Sequence, residues 1–193
     1  MVKLTGYKKI KTAVFISGNG SNLKSLIKFS KTKNSPISIN LIISNNSKAK
    51  GLKLGKKNKI IKKVFNLKKK YKIENHLISV LKKHEIKMIC LAGFMKILSK
   101  NFITKFKGKI LNIHPSLLPK YKGLNTHQRV LNNKEKYSGC TVHFVNSKLD
   151  SGKIILQKKV KISKNETKNS LAKKVLVQEH KLYPKAILKI FNL

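Results

Sequence analysis

Five strand-length apolar runs, Thr12–Ser17, Ser38–Ser44, Ile60–Phe65, Lys87–Ala92 and Lys109–Ile113, recur between longer amphipathic stretches, and that rhythm constrains the fold more than any other feature. Runs this short and this continuously apolar suit strands covered on both faces. The stretches between them carry helical spacing. Asn22–Ser30 puts Leu23, Leu26 and Ile27 on one side, and Ile73–His84 does the same with Leu77, Ile78 and Leu81. Ser99 stands where an N-cap would open a short helix through Phe106, with Phe102, Ile103 and Phe106 turned inward. Strand and helix alternating from Thr12 to Phe144 predicts an α/β fold, a parallel sheet with crossover helices.

Beyond Ile113 the pattern changes. The irregular stretch His114–Asn125 contains Pro115, Pro119 and Gly123, and a loop that long in a compact domain is more often functional than idle. Two more strands follow, Gly139–Asn146 and Lys153–Ile162, the second alternating well enough to be a half-exposed antiparallel addition. Ser170–Phe191 is helical through Leu171, Val175, Gln178 and Leu182, with Pro184 as a kink or break. There is no internal repeat or linker, so residues 1–193 read as a single domain with a short basic lead-in over 1–11. A domain of this size buries roughly 70% of its unfolded surface, enough for a core without metal or disulfide support. Cys90 and Cys140 stand alone, which suggests neither a disulfide framework nor a zinc site. No apolar run approaches the roughly 18 residues of a membrane span, and Ala13–Ile16 is too short for a signal-peptide core, so the cytoplasm is the expected location.

The formal charge is +39, from 45 basic residues against six acidic ones. Such a balance points first to nucleic acid, because basic surfaces gain affinity by releasing counterions from phosphates. Forty-four of those basic residues are Lys, spread over the whole length, and Arg129 is the only Arg, whereas phosphate clamps and groove readers favour the planar fork of Arg. A single-strand binder would also interleave exposed aromatics with its lysines, yet the 8 Phe fall mostly at core-like spacings. The abundance of Lys, Ile and Asn suits a compositional bias toward A- and T-rich codons. We therefore expect attraction of anionic small molecules, no specific nucleic-acid partner and no membrane association. Acids are so rare that each one stands out, above all the lone Asp, Asp150.

Two stretches and that aspartate carry chemistry. Ser17-Gly18-Asn19-Gly20-Ser21-Asn22 lies between a predicted strand and a predicted helix, where exposed N–H groups and the helix dipole favour an anion such as a phosphate monoester. It lacks the third Gly and the later acid of a dinucleotide fingerprint, and no Gly-Lys-Ser/Thr closes it as in a Walker loop. Asn112 and His114 sit two apart at a strand end, hence on one face at the carboxyl edge where open α/β sheets bind ligands. An amide donor beside an imidazole suits acyl-type transfer through an intermediate whose oxygen gains charge. Asp150, before Ser151-Gly152, would raise the pKa of His114 and fix its ring if it lies alongside.

The strings SGNGSNL, LAGFMKILS, LNIHPSLLPKYKGL, TVHFV, LDSGKIILQ and QEHKLYP occur in that order, and the chain from Thr12 to Pro184 resembles the folate-dependent glycinamide ribonucleotide formyltransferases. The resemblance implies a mostly parallel seven-stranded sheet with helices on both faces, a Rossmann-like formyltransferase fold, and a cis Leu118–Pro119 bond. It implies formyl transfer from 10-formyltetrahydrofolate to glycinamide ribonucleotide in purine synthesis, without metal, by a monomer or weak homodimer. Asn112, His114 and Asp150 would be the catalytic trio. Gly18, Asn19, Gly20, Ser21 and Asn22 would surround the phosphate and Glu179 would contact the ribose. Met95, Ile97 and Leu98, with Asn112 and Val145, would bind the folate. The segment after the proline-rich loop departs from the family pattern at Asn125, where a His is common, and His127 and His143 are left without an assigned role. A formyltetrahydrofolate hydrolase shares the same trio but bears an N-terminal regulatory domain. The related formyltransferase acting on methionyl-tRNA carries a further C-terminal domain, which is not expected in this chain of 193 residues.

Overall fold

The computed structural model describes residues 8–66 and 70–193; the part of the basic lead-in over residues 1–7 lies outside them. Seven strands are present: β1 (Ile10–Ile16), β2 (Ile37–Ser44), β3 (Ile61–Val64), β4 (Met88–Leu91), β5 (Lys109–His114), β6 (Tyr137–Phe144) and β7 (Ile154–Lys161). All seven were legible in the sequence, within two residues at each end, although β3 is exposed along its length and not covered on both faces as its run suggested. They form one mostly parallel sheet in the order β3-β2-β1-β4-β5-β6-β7. By contacts the chain divides into two compact units, Met1–Ile110 and Leu111–Leu193.

In the first unit β1 pairs in parallel with β2 on one side and β4 on the other, so Val14 lies opposite both Ile42 and Cys90. Ala13, Val14, Phe15 and Ile16 are all fully buried, which is why these strands read as unbroken apolar runs instead of alternating ones. Helix α1 (Ser21–Ser30) buries Leu23, Leu26 and Ile27, the face its spacing predicts. A 3₁₀ turn (Lys50–Leu52) leads into the short α2 (Lys53–Lys57), and α3 (Lys70–Lys83) precedes β4. At α4 (Lys100–Lys105) the Ser99 hydroxyl oxygen accepts from the Phe102 N–H at 3.0 Å, the expected cap, and Phe102 and Phe106 are buried while Ile103 is only half-buried. Phe15 meets Phe94 edge-on at 5.4 Å between ring centroids.

In the second unit β6 runs antiparallel to both β5 and β7. The parallel reading therefore extends one strand too far. Apolar runs carry burial but no direction, so parallel and antiparallel members of a covered sheet look alike in sequence. Helix α5 (Thr126–Asn132) was not foreseen; only Thr126 and Val130 on it are buried, too few to show a period. Helix α6 (Lys168–Ile190) opens with a capping box between Thr167 and Ser170 and continues through Pro184, so the proline ends nothing. Its buried stripe uses Glu179, not Gln178 as the spacing suggested. The buried Tyr183 hydroxyl donates to the Leu111 carbonyl at 3.1 Å and ties the helix to β5. Among the described residues no helix is long and apolar enough to cross a membrane.

Candidate active site

Asn112 and His114 end β5 with one residue between them, so the pleat turns both side chains to one face. On the neighbouring β6, His143 is the cross-strand partner of Asn112. Asp150, in the loop before β7, has a φ of 44°, a left-handed backbone that Asp adopts more readily than most residues and that points its carboxylate back at β5 and β6. The three residues singled out in the sequence thus meet. The His114 Nδ1 lies 3.3 Å from Asp150 Oδ2, and the Asn112 amide nitrogen donates to Asp150 Oδ1 at 3.3 Å.

The supporting contacts fix protons and orientation. The His114 Nε2 donates to the Tyr121 carbonyl at 2.9 Å, so that nitrogen carries a hydrogen and Nδ1 is the nitrogen facing Asp150. His143 Nδ1 donates to its neighbour's carbonyl, Phe144 O, at 2.8 Å, leaving Nε2 to accept from the Asn112 amide at 3.2 Å. Asp150 Oδ2 also accepts from the Gly123 N–H at 2.9 Å. His143 was left without a role because the antiparallel pairing that sets it opposite Asn112 is not legible in the sequence.

His114, His143 and Asp150 are all buried. Burial pushes the His114 pKa below the ordinary imidazole value, and the Tyr121 carbonyl and the Asp150 charge offset only part of that, while the positive ends of His143 and Arg129 add to it. Asp150 does raise the pKa of His114, as expected, but desolvation outweighs the carboxylate and the net shift is downward. For Asp150 burial opposes ionisation, yet the nearby His143, the Gly123 N–H and His114 together hold its carboxyl below the usual range. The pair at neutral pH is accordingly a neutral imidazole with its Nδ1 lone pair beside a carboxylate: two acceptors side by side, next to an amide donor.

In the first unit, Gly18 and Asn19 are exposed in the turn after β1 and Gly20 occupies the N-cap of α1 with φ 75°. No side chain caps this helix and no acid lies in its first turn. The helix dipole favours a negative charge at this end. Gly20 is required there on two counts: the left-handed backbone, and an approach so close that a Cβ would sit 2.8 Å from the Gly51 Cα. Ser21 and Asn22 begin the helix, Asn22 buried.

Ser17, which opens the predicted anion-binding stretch but was given no role of its own, joins this loop to the segment before α4. Its N–H donates to the Gly93 carbonyl at 3.1 Å, and its hydroxyl oxygen accepts from the Met95 N–H at 2.8 Å. Met95 and Ile97 are 62% and 59% exposed, whereas Leu98 is buried. In the second unit Val145 is half-buried at the start of the loop leading to Asp150, and Glu179 is buried on α6. Burial and the Glu179 charge push the Cys140 thiol up to about 12, which makes it unreactive. Asn125 is exposed in a left-handed N-cap position of α5, where its side chain makes no cap bond. His127 is half-buried, its Nδ1 enclosed without a hydrogen-bond partner among the described residues, and burial followed by the Lys168 and His114 charges lowers its pKa.

A family model described as formyl transferase matches residues 10–187. The human trifunctional purine biosynthetic protein adenosine-3 is 42% identical over 183 residues, 93% of this chain but only 18% of that protein, so this chain spans under a fifth of such multifunctional relatives. The phosphoribosylglycinamide formyltransferase of Haemophilus influenzae is 41% identical over 92% of this chain and 85% of its own length. Among solved structures, the phosphoribosylglycinamide formyltransferase from Brucella melitensis superposes with a TM-score of 0.89 at 41% identity, covering 95% of this chain and 96% of that one. The one from Anaplasma phagocytophilum gives 0.88 at 42% identity, with 93% and 85% covered.

Proposed function

This chain belongs to the formyl transferase family, and on that premise we propose that it moves the formyl group of 10-formyltetrahydrofolate onto the amine of glycinamide ribonucleotide, giving N-formylglycinamide ribonucleotide and tetrahydrofolate in de novo purine synthesis. The observation that carries this reading is the convergence of the Asn112 amide, the neutral His114 Nδ1 and the Asp150 carboxylate, with 3.3 Å contacts to the carboxylate from both of the others.

Each group has a task set by its chemistry. The attacking amine offers N–H bonds to Nδ1 and to Asp150, which orients its lone pair toward the formyl carbon. As the new C–N bond forms, the carbonyl oxygen gains charge, and the Asn112 amide turns from its long contact with Asp150 to that oxygen; one such donor is worth about 2.7–4 kcal/mol in comparable sites. The amine proton passes to Nδ1, and the imidazolium so formed lies against Asp150. That proton then returns to the departing folate nitrogen as its bond to the formyl carbon breaks, so nothing is left over. The Gly18–Asn22 loop, where the dipole of α1 favours a negative charge, would hold the substrate phosphate, and Glu179 the ribose. Met95, Ile97, Leu98 and Val145 would receive the pteridine.

The test is to incubate the protein with glycinamide ribonucleotide and 10-formyltetrahydrofolate and to follow tetrahydrofolate release beside formation of the N-formyl product. Equal amounts of the two products, and none without the amine, are expected. Release without acceptor would make the protein a hydrolase. No release, together with tight RNA binding at physiological salt, would return the basic surface to the centre of the account.

A further inference from the structure

Forty-four of the 45 basic residues are Lys, so the one Arg calls for a contact that Lys cannot make. Arg129 is exposed on α5, so core packing does not explain it. Its Nη1 donates to the Lys122 carbonyl at 2.7 Å, with the Leu124 carbonyl at 3.5 Å, while the guanidinium lies over the Tyr121 ring, 5.5 Å from its centroid. A planar cation can stack on a ring and bond backbone oxygens in its own plane; a lysine ammonium, a point charge on a flexible stem, does not reproduce the pair.

The segment held in this way is the one that touches the site. Tyr121 gives its carbonyl to His114 Nε2, and Gly123 gives its N–H to Asp150 Oδ2. Tyr121 has a φ of 56°, which a bulky residue rarely adopts, so the turn depends on outside support. On its far side the Tyr121 hydroxyl donates to Glu135 Oε1 at 2.8 Å. We propose that Arg129 is a positioning residue: by clamping residues 121–124 it holds the Tyr121 carbonyl against His114, and so fixes which ring nitrogen faces the substrate. This rests on the function proposed above, in which Nδ1 takes the amine proton.

Arg129→Lys and Arg129→Gln test it, because the residue is exposed and both variants should fold. Besides the Tyr121 carbonyl, the charged and titratable groups acting on His114 are Asp150, His143, Arg129 and His127, and Arg129→Lys leaves that set of charges intact. The expected result is a fall in kcat of about tenfold in both variants, with KM for either substrate changed less than about twofold, since a catalytic group is misaligned and not removed. Side-chain nitrogen NMR of the free protein should show His114 with a fixed Nε2–H in the parent and an exchange-averaged ring in each variant. Parental His114 signals in either variant, or parental kcat in Arg129→Lys, would overturn the proposal. If the parent transfers no formyl group, the functional reading fails, while the His114 signals still decide whether Arg129 orients the ring.

Discussion

Replacing Asp150 by Asn exchanges one carboxylate oxygen for an amide nitrogen at almost constant shape, and Asn accepts the left-handed φ of 44° at that position as readily as Asp. The Gly123 N–H, at 2.9 Å, keeps the amide oxygen on its side, which turns the new NH₂ toward the Asn112 NH₂ and sets two donors face to face where donor and acceptor met at 3.3 Å. The larger loss is charge. An imidazolium on His114 at 3.3 Å from a carboxylate is stabilised by about 5 kcal/mol at an effective dielectric constant of about 20. If that charge exists only once the amine proton has moved, kcat should fall by between about 10³ and 10⁴, with binding of both substrates little changed. A second readout has a definite sign. The base works unprotonated, so kcat/KM declines as pH drops through the His114 pKa, below the ordinary 6.5. The Asp150 charge raises that pKa, so its removal moves the acid limb to still lower pH. Steady-state rates from tetrahydrofolate release across pH, with calorimetric binding of each substrate, measure both. A variant within tenfold of the parent in kcat, with an unmoved acid limb, would remove Asp150 from charge stabilisation.

Stability should itself depend on pH, because folding lowers the pKa of His114 and of His127, in each case chiefly by burial. Below about pH 6.5 the unfolded chain binds protons that the folded one refuses, so unfolding free energy falls as pH drops from there and is flat just above; urea titrations giving constant stability from pH 5 to pH 8 on this scale would contradict the assignment. Thr167→Ala removes the N-cap of α6, where the Thr167 hydroxyl oxygen accepts from the Ser170 N–H at 3.1 Å, and should cost about 1 kcal/mol in denaturant unfolding; no loss would mean the capping box adds nothing. Gly20→Ala forces a Cβ to within 2.8 Å of the Gly51 Cα at φ 75°. It should destabilise by about 1–2 kcal/mol from the backbone conformation alone and raise KM for the phosphorylated substrate more than for the folate; equal effects on the two would separate the loop from phosphate binding.

The central strands were legible because covered strands need uninterrupted apolar runs, and Ala13–Ile16 is such a run with all four side chains fully buried. Strand direction was not, since the same burial serves β6 in either sense. Helix α5 escaped because it is short and only Thr126 and Val130 on it are buried, so no apolar stripe repeats. At the site, the strand-end spacing of Asn112 and His114 was enough to place two side chains on one face. The backbone partners Tyr121 and Gly123 left no trace in residue type, since a carbonyl or an N–H is common to almost any residue. The sign of the His114 shift was out of reach for a related reason. It depends on how much water is excluded, a property of the packed surroundings and not of neighbours named in the chain.

The rarity of acids in a chain of net charge +39 carries more than solubility. Carboxylates are seldom buried unless they are paired or hydrogen-bonded, yet Glu74, Asp150 and Glu179, half of the six, are buried, while among the described residues no lysine is. Glu74 accepts from the Ser99 N–H at 3.0 Å and from the Ser99 hydroxyl, so it anchors the residue that ends the Met95–Leu98 segment. Glu135 holds the Tyr121 hydroxyl at 2.8 Å. Glu166, just ahead of α6, is pushed down to about 2 by Lys174 and Ser170 and stands where the helix dipole favours a negative charge. Only Glu85 makes nothing but an exposed pair, with Lys11. If lysine accumulated through composition, it did so where water can solvate the charge, and the acids persist where a cation would be buried or a donor orphaned. By the same reasoning a lone Asp beside two histidines, and a lone Arg over a tyrosine, mark positions where chemistry, and not composition, chose the residue.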